Sequence, residues 1–438
     1  MLFIAPSYNL LGSHLMGGNL AYEYMGPVGG GMYRYKIILS VYNNCDGTSQ
    51  IPEPVASHTL HIYDETSPSS SDKPIWTSIN LPLVDSGRIT SSLPGGCSVG
   101  QGTCVYEGKY EGTVDLPQMR NGALSKGYHL FFTAFARNNN ILNLSSAGSE
   151  GMGFHAFIPP PIVENNSPVF SDVPLPFICV NDTTGILNTA IDPDGDVLTF
   201  SFVNPSDGQD TGPFDPLTWP LRPVAWATNY NTNAIFGTNG YQYIDGFTGY
   251  SEYMSPSLGN FVVTVEIKEF RNGSSIPHGI TRRDLQLLII NCPANEEPVF
   301  NSSVQSPLYT IEEGDSLCFT MNFHDEGGDS LNLFISGPGA IFDPAATNPP
   351  ATITAPISAD SSLSTQFCWN TACGQGRDAY YTFDLKVEDN GCPPKTKVVV
   401  PKIKVNPFVG PVAITGISNP CPGQSGGGKC FPAGRGAG

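Results

Sequence analysis

Three carboxylates crowd one short turn in Ile191-Asp-Pro-Asp-Gly-Asp-Val-Leu-Thr-Phe200: Asp192, Asp194 and Asp196. Alternating acidic side chains on a turn can gather around a hard cation such as Ca²⁺, which prefers several oxygen ligands. The pattern returns in His324-Asp-Glu-Gly-Gly-Asp-Ser-Leu-Asn-Leu333. There, Asp325 and Asp329 take the places of Asp192 and Asp196, with the same spacing between them. Glu312, Glu313 and Asp389 join this second candidate set if the flanking strands pack together. An EF-hand is excluded: its loop needs Gly at the sixth position and Glu at the twelfth, and Val197 and Val203 stand there. Two readings are left, a Ca²⁺ site shared between loops and a plain Asp-Gly turn.

Other reactive groups do not assemble into a catalytic pattern. No Gly-x-Ser-x-Gly elbow, His-Glu-x-x-His pair or phosphate-binding glycine loop occurs. Carboxylate pairs are plentiful but fall in turns between short strands, so the chain reads as non-catalytic. His58 and His61 are three apart, which puts them on opposite faces of a strand. Trp219 and Trp226, with Tyr241, Tyr243, Tyr250 and Tyr253, lie in a Gly/Asn-rich stretch. Such rings either stack on sugars or pack a core.

The elements that must position these residues are strands. Only 14% of the 438 residues are charged while 40% are hydrophobic, and Gly (48) and Pro (39) are abundant, a mix that suits an all-β protein with many turns. Tyr33, Tyr35, Ile37, Leu39 and Val41 alternate within Tyr33–Tyr42 and predict a half-buried strand. The two acidic turns mark equivalent points of duplicated modules. The predicted architecture is a tandem of Ig-like or cadherin-like β-sandwiches: an N-terminal one at 14–158, a second at 166–293 and a third at 297–406. Residues 1–13 read as a leader or the rear of a secretory signal. Residues 407–438 read as a tail or a truncated further module. Pro159-Pro-Pro161 and Pro293–Glu297 read as linkers.

Asp and Glu outnumber Lys and Arg 39 to 21, giving a net charge of −18 that disfavours nucleic acid and anionic membranes. No apolar run is long enough to span a bilayer as a helix. The 11 cysteines lack the paired knuckles of a zinc site and predict disulfides in an oxidising compartment. Cys179–Cys292, Cys318–Cys368, Cys373–Cys392, Cys97–Cys104 and Cys421–Cys430 are the expected pairs, leaving Cys45 over.

Ser13-His-Leu-Met-Gly-Gly-Asn-Leu-Ala-Tyr22, Tyr35–Gly47, Cys104–Tyr110 and Ala136-Arg-Asn138 resemble the N-terminal module of large surface proteins of Bacteroidota. Those are adhesin-like and gliding-motility-associated proteins exported by the type IX secretion system. Arg282-Arg-Asp-Leu-Gln286 resembles the same family. The chain departs from it at Phe135-Ala136, where the family usually has cysteines; a partner for Cys45 is therefore missing. The resemblance implies an extracellular or cell-surface adhesin or stalk, without catalysis, whose partners are surface glycans or other cell-surface components. Alternatives are a glycan-binding accessory module of a secreted degradative protein, and a filament subunit that self-associates through strand edges.

Overall fold

The computed structural model describes residues 15–44, 54–66, 75–89, 105–135, 137–171, 177–208, 220, 222–271, 273–302, 307–336, 341–355 and 357–408. Cys45, Cys97, Cys104, Trp219, Cys421 and Cys430 lie outside the described residues. So do the expected leader at 1–13 and nearly all of the expected tail. The chain is all-β, a tandem of sandwich-type modules; a three-residue 3₁₀ turn at Ala147–Ser149 interrupts the strands. Among the described residues no helix is long and apolar enough to cross a membrane, which says nothing of strands.

The N-terminal module contributes β1 (Leu15–Gly29), β2 (Met32–Asn44), β3 (Ser57–Asp64), β4 (Thr77–Arg88), β5 (Val105–Pro117), the short pair β6 (Met119–Arg120) and β7 (Ala123–Leu124), β8 (Tyr128–Ala134) and β9 (Met152–Ile158). Strand β2 alternates as its sequence predicts. Tyr35, Ile37, Leu39 and Val41 point into the core, while Arg34 and Lys36 take the other face and pair with Asp115 and Glu111. The core also takes in Leu20, Leu60, Ile62, Tyr110, Leu130 and Phe154.

The second module supplies β10 (Val169–Phe170), β11 (Phe177–Cys179), β12 (Thr184–Leu187), β13 (Ala190–Ile191), β14 (Val197–Phe202), β15 (Tyr241–Ile244), β16 (Tyr250–Met254), β17 (Gly259–Phe270) and β18 (Gly279–Ile290). One edge of β18 pairs with β17 throughout. Its other edge meets three strands in turn: β9 at Ile280–Thr281, β1 at 283–285, and β11 at 288–290. The path β1-β2-β5-β4-β3-β8-β9-β18 therefore returns to β1. Seven strands of the N-terminal module and one of the second close a ring around the first core. Contact is tight enough that a methyl group on Gly17 would collide with the Asp284 carbonyl.

The sequence places a linker between these modules, and the structure adds a continuity across it that composition does not reveal. Arg137 from the first module is fully buried and grips Asp284 of β18, Nη1 to Oδ1 at 3.0 Å and Nη2 to Oδ2 at 2.7 Å. Its Nε donates to the Gly151 carbonyl and Nη2 also to that of Ser206. Asn143 does the same for backbone, donating to Ile235 and Val262 carbonyls and accepting from the Val262 amide. Arg137 and Asp284 belong to the two separate stretches, Ala136–Asn138 and Arg282–Gln286, singled out in the sequence. They are the two halves of one clamp.

The third module is built from β19 (Val299–Phe300), β20 (Leu308–Glu312), β21 (Ser316–His324), β22 (Ser330–Ser336), β23 (Thr352–Ile353), β24 (Ile357–Asp360), β25 (Ser362–Asn370), β26 (Tyr381–Thr382), β27 (Asp384–Asp389), β28 (Thr396–Val399) and β29 (Lys402–Asn406). Sheets β19-β21-β25-β23, β20-β29-β26 and β24-β22-β27-β28 enclose a core centred on Trp369, Phe367, Leu333 and Leu385. This module lies against the second rather than merely following it. Leu187 and Tyr250 pack on Val398 and Val400, Thr189 Oγ1 donates to Asp384, and Lys402 and Lys395 pair with Asp245 and Asp182.

Cys179–Cys292 ties the start of the second module to its end, and Cys318–Cys368 bridges directly opposed residues of β21 and β25. Cys373 and Cys392 are also disulfide-bonded.

Candidate functional site: two equivalent carboxylate clusters

The acidic turn of the second module is built on Asp192. Its Oδ1 accepts the backbone amides of Asp194 (2.8 Å) and Asp196 (3.0 Å), so the side chain itself shapes the turn. Gly195 supplies the left-handed residue (φ 80°) that the turn requires. Asp194 reaches back to the inter-module segment, accepting from the Asn166 amide and Nδ2.

The strands then bring in a group that the sequence reading missed. In the β14–β17 ladder Leu198 stands opposite Glu269. One ligand oxygen each from Asp192, Asp196 and Glu269 lies within 4.8 Å of the others, and all three residues are buried. Asp192 Oδ2 and Glu269 Oε1 have no hydrogen-bond partner. Burial pushes Asp192 up to about 6 and Glu269 well above the usual carboxylate range, each reinforced by the neighbouring acids.

Arg271 answers part of this charge. It donates to both oxygens of Asp196, with Nη2 at 2.6 Å, and also to the Glu164 carbonyl and Asn165 Oδ1. Asn165 in turn donates to Glu269 Oε2 and to the Tyr22 hydroxyl, which ties the cluster to the first module. On the far side, a crevice between the second and third modules is lined by Asp192, Asp196 and Arg377. Asp192 opposes the loss of charge that burial favours at Arg377.

The third module repeats the plan. Asp325 Oδ1 accepts the Asp329 amide at 2.8 Å, and Asp325 Oδ2 is buried without a partner. Leu331 stands opposite Asp389 in the β22–β27 ladder, as Leu198 stands opposite Glu269. Asp389 therefore occupies the Glu269 position, and its oxygens complete the second cluster with Asp325 and Asp329, again within 4.8 Å. Asn295 donates to Asp389 as Asn165 donates to Glu269. The matching stretches Asn165-x-x-Pro168-Val-Phe170 and Asn295-x-x-Pro298-Val-Phe300 carried a visible signal for this pair of asparagines. Burial raises Asp389 as well, against hydrogen bonds from Lys395, Gly391 and Asn295.

Glu312 and Glu313 do not join them. Glu313 accepts the amides of Gly374, Gly376 and Phe408, and the Glu312 amide donates to Asp315. Both precede β21, whereas Asp325 follows it, and nine residues of strand span about 30 Å. Opposite ends of a strand cannot share an ion.

Trp226 is wedged between two apolar clusters, with Nε1 donating to Asn204 Oδ1 at 2.7 Å. It is a packing residue here. Tyr241 and Tyr243 are the exposed rings, 42% and 44% accessible, on the same face of edge strand β15. Glu252 on the next strand accepts hydrogen bonds from the Tyr241 and Tyr250 hydroxyls. Among the described residues His58 and His61 bind no common partner: His58 packs edge-on against Tyr110 and Phe132, and His61 bonds Ser78.

No family model matches the sequence, and no curated protein matches it. Among solved structures, human CDH23 repeats EC21-23 are similar at 16% identity, covering 52% of this chain and 72% of that one (TM-score 0.18). The sialic acid binding region of a Streptococcus sanguinis SK1 adhesin is similar at 10%, covering 56% and 79% (TM-score 0.19). Tandem Ig repeats of Dlar are similar at 8%, covering 55% and 98% (TM-score 0.21). Likeness at this level carries no argument about ligand or role.

Proposed function

We propose that this chain is a stiff, non-catalytic segment of an extracellular surface protein that serves attachment. The observation that carries the reading is the interlocking of its modules. A strand of the second module closes the sheet of the first, a buried arginine clamps the two, and the third packs along the second. Such construction transmits force between modules instead of letting them pivot. Disulfides within the second and third modules suit an oxidising compartment. The finer assignment to a Bacteroidota type IX secretion substrate, with a part in adhesion or gliding, rests on the sequence resemblance of Ser13–Tyr22, Tyr35–Gly47 and Arg282–Gln286.

A second reading, glycan binding, draws on the Tyr241/Tyr243 face with Glu252 at its edge. Aromatic faces stack on sugar rings while a carboxylate accepts from their hydroxyls. One experiment separates the two. Beads coated with the protein are offered to cells and to immobilised glycans, with Tyr241→Ala/Tyr243→Ala as the comparison. Adhesion lost in the variant assigns binding to this face. Adhesion unchanged in the variant keeps the attachment reading and removes the glycan one. Beads that adhere to no surface, with small-angle scattering that requires freely pivoting modules, overturn the proposal.

A further inference from the structure

The two carboxylate clusters are equivalent in position but not in charge balance. In the second module Arg271 bonds Asp196 directly, and Arg377 lies across the crevice from Asp192. Arg271 thus answers Asp194 and Asp196, and Arg377 faces Asp192. In the third module no cationic side chain bonds Asp325, Asp329 or Asp389 among the described residues. Their hydrogen bonds come from backbone amides and the Asn295 side chain. Lys395, whose backbone amide bonds Asp389, sends its Nζ to Asp182 at 2.7 Å, and His324, next to Asp325, stands 3.9 Å from Glu326. Asp325 is only 6% exposed and Asp389 2%, and Asp325 holds one oxygen, Oδ2, that nothing satisfies. A buried carboxylate without a partner is costly, and three together are more so.

We infer that Asp325, Asp329 and Asp389 bind one Ca²⁺ ion, and that Arg271 stands in for such an ion in the second module. All three groups offer oxygen, with no imidazole or thiolate, which selects a hard cation over zinc. The carboxylates come from an irregular turn and a strand end, and Asp329 is partly open to solvent for bound water. Calcium tolerates that irregular, mixed set, whereas magnesium demands a near-octahedral one. The duplication therefore diverged in charge balance: one copy gained arginines at the junction with the first module, and the other kept an excess of negative charge that an ion balances. The inference does not depend on the attachment role, since the ion would bind whatever the chain adheres to.

Calorimetric titration of the chelator-treated full chain with CaCl₂, alone and with MgCl₂ in competition, tests it. The expected result is one ion per chain, with a higher melting midpoint for the third module. Asp329→Asn should weaken binding by about tenfold or more. Among the described residues this side chain makes no hydrogen bond, so the variant keeps its structure, which near-ultraviolet dichroism verifies. Asp325→Asn, a near-isosteric change, should do the same, while Asp192→Asn should leave the stoichiometry at one. Absence of Ca²⁺ binding, two ions per chain, tighter binding of Mg²⁺ than Ca²⁺, or full affinity in Asp329→Asn would each overturn the assignment.

Discussion

Arg137→Met is the sharpest test of how the modules cohere. The guanidinium makes four hydrogen bonds, two to Asp284 and one each to the carbonyls of Gly151 and Ser206. Side-chain exposure at the pair is 0% and 1%. Methionine fills comparable volume but leaves the Asp284 carboxylate, among the described residues, with a single 3.3 Å bond from Thr264. Stranding one member of a buried ion pair costs about 3–5 kcal/mol. At a urea slope of about 1–3 kcal/mol/M this moves the unfolding midpoint by roughly 1–5 M. The same transition should report from both modules, followed by limited proteolysis of β1–β9 for the first and of β17–β18 for the second. Asp284→Leu added to Arg137→Met should recover most of the loss, because a matched apolar pair carries no stranded charge. A single variant within about 1 kcal/mol of the parent, or a double variant that loses the sum of both singles, refutes the clamp.

Three further outcomes follow from the same geometry. Asp192 is raised to about 6 from 3.8, so it stabilises the fold while protonated and that contribution is lost as pH rises through about 6. The difference is on the order of 3 kcal/mol, and Asp192→Asn should make the fall of urea stability between about pH 4 and pH 6.5 less steep, with Glu269 and Asp389, also raised, supplying the remainder; an unchanged slope tells against the assignment. Gly17→Ala should push β1 off the Asp284 carbonyl at a cost of about 1–3 kcal/mol, read as faster amide exchange along Gly17–Asn19, and parent-like exchange would contradict the close approach. Cys179→Ser/Cys292→Ser opens a loop of 113 residues and should cost the second module about 2–5 kcal/mol, measured by denaturation without reductant, whereas a neutral effect would mean that sheet pairing alone holds the two ends.

The parts of this structure legible in the sequence are those written in local pattern. Alternation in Tyr33–Tyr42 gave the buried face of β2, because a strand repeats every two residues. Repetition of the acidic turn marked equivalent points in the second and third modules, with leucines at 198 and 331 on matching ladders. Cys179–Cys292 and Cys318–Cys368 followed from their places at the ends and on facing strands. The remainder depends on register between distant strands. Glu269 lies far along the chain from Asp192, and only the β14–β17 pairing brings it to the cluster. Glu312 and Glu313 are near Asp325 in sequence, yet the length of β21 separates them. The docking of β18 onto three strands was invisible, since a strand edge is backbone and carries no residue signature.

That docking also sets an order on assembly. Gly18 pairs with Asp284, a partner that lies almost the full span of the first two modules away along the chain. During synthesis β1 through β9 emerge well before their closing strand, and until it arrives the first core has an open seam between β1 and β9. Each end of that seam is an unpaired ladder able to accept a strand from another nascent chain. Closure over so long a loop is slow, so the first module is made before the second yet completed only with it. A chaperone that shields β1 and β9 would act on this interval.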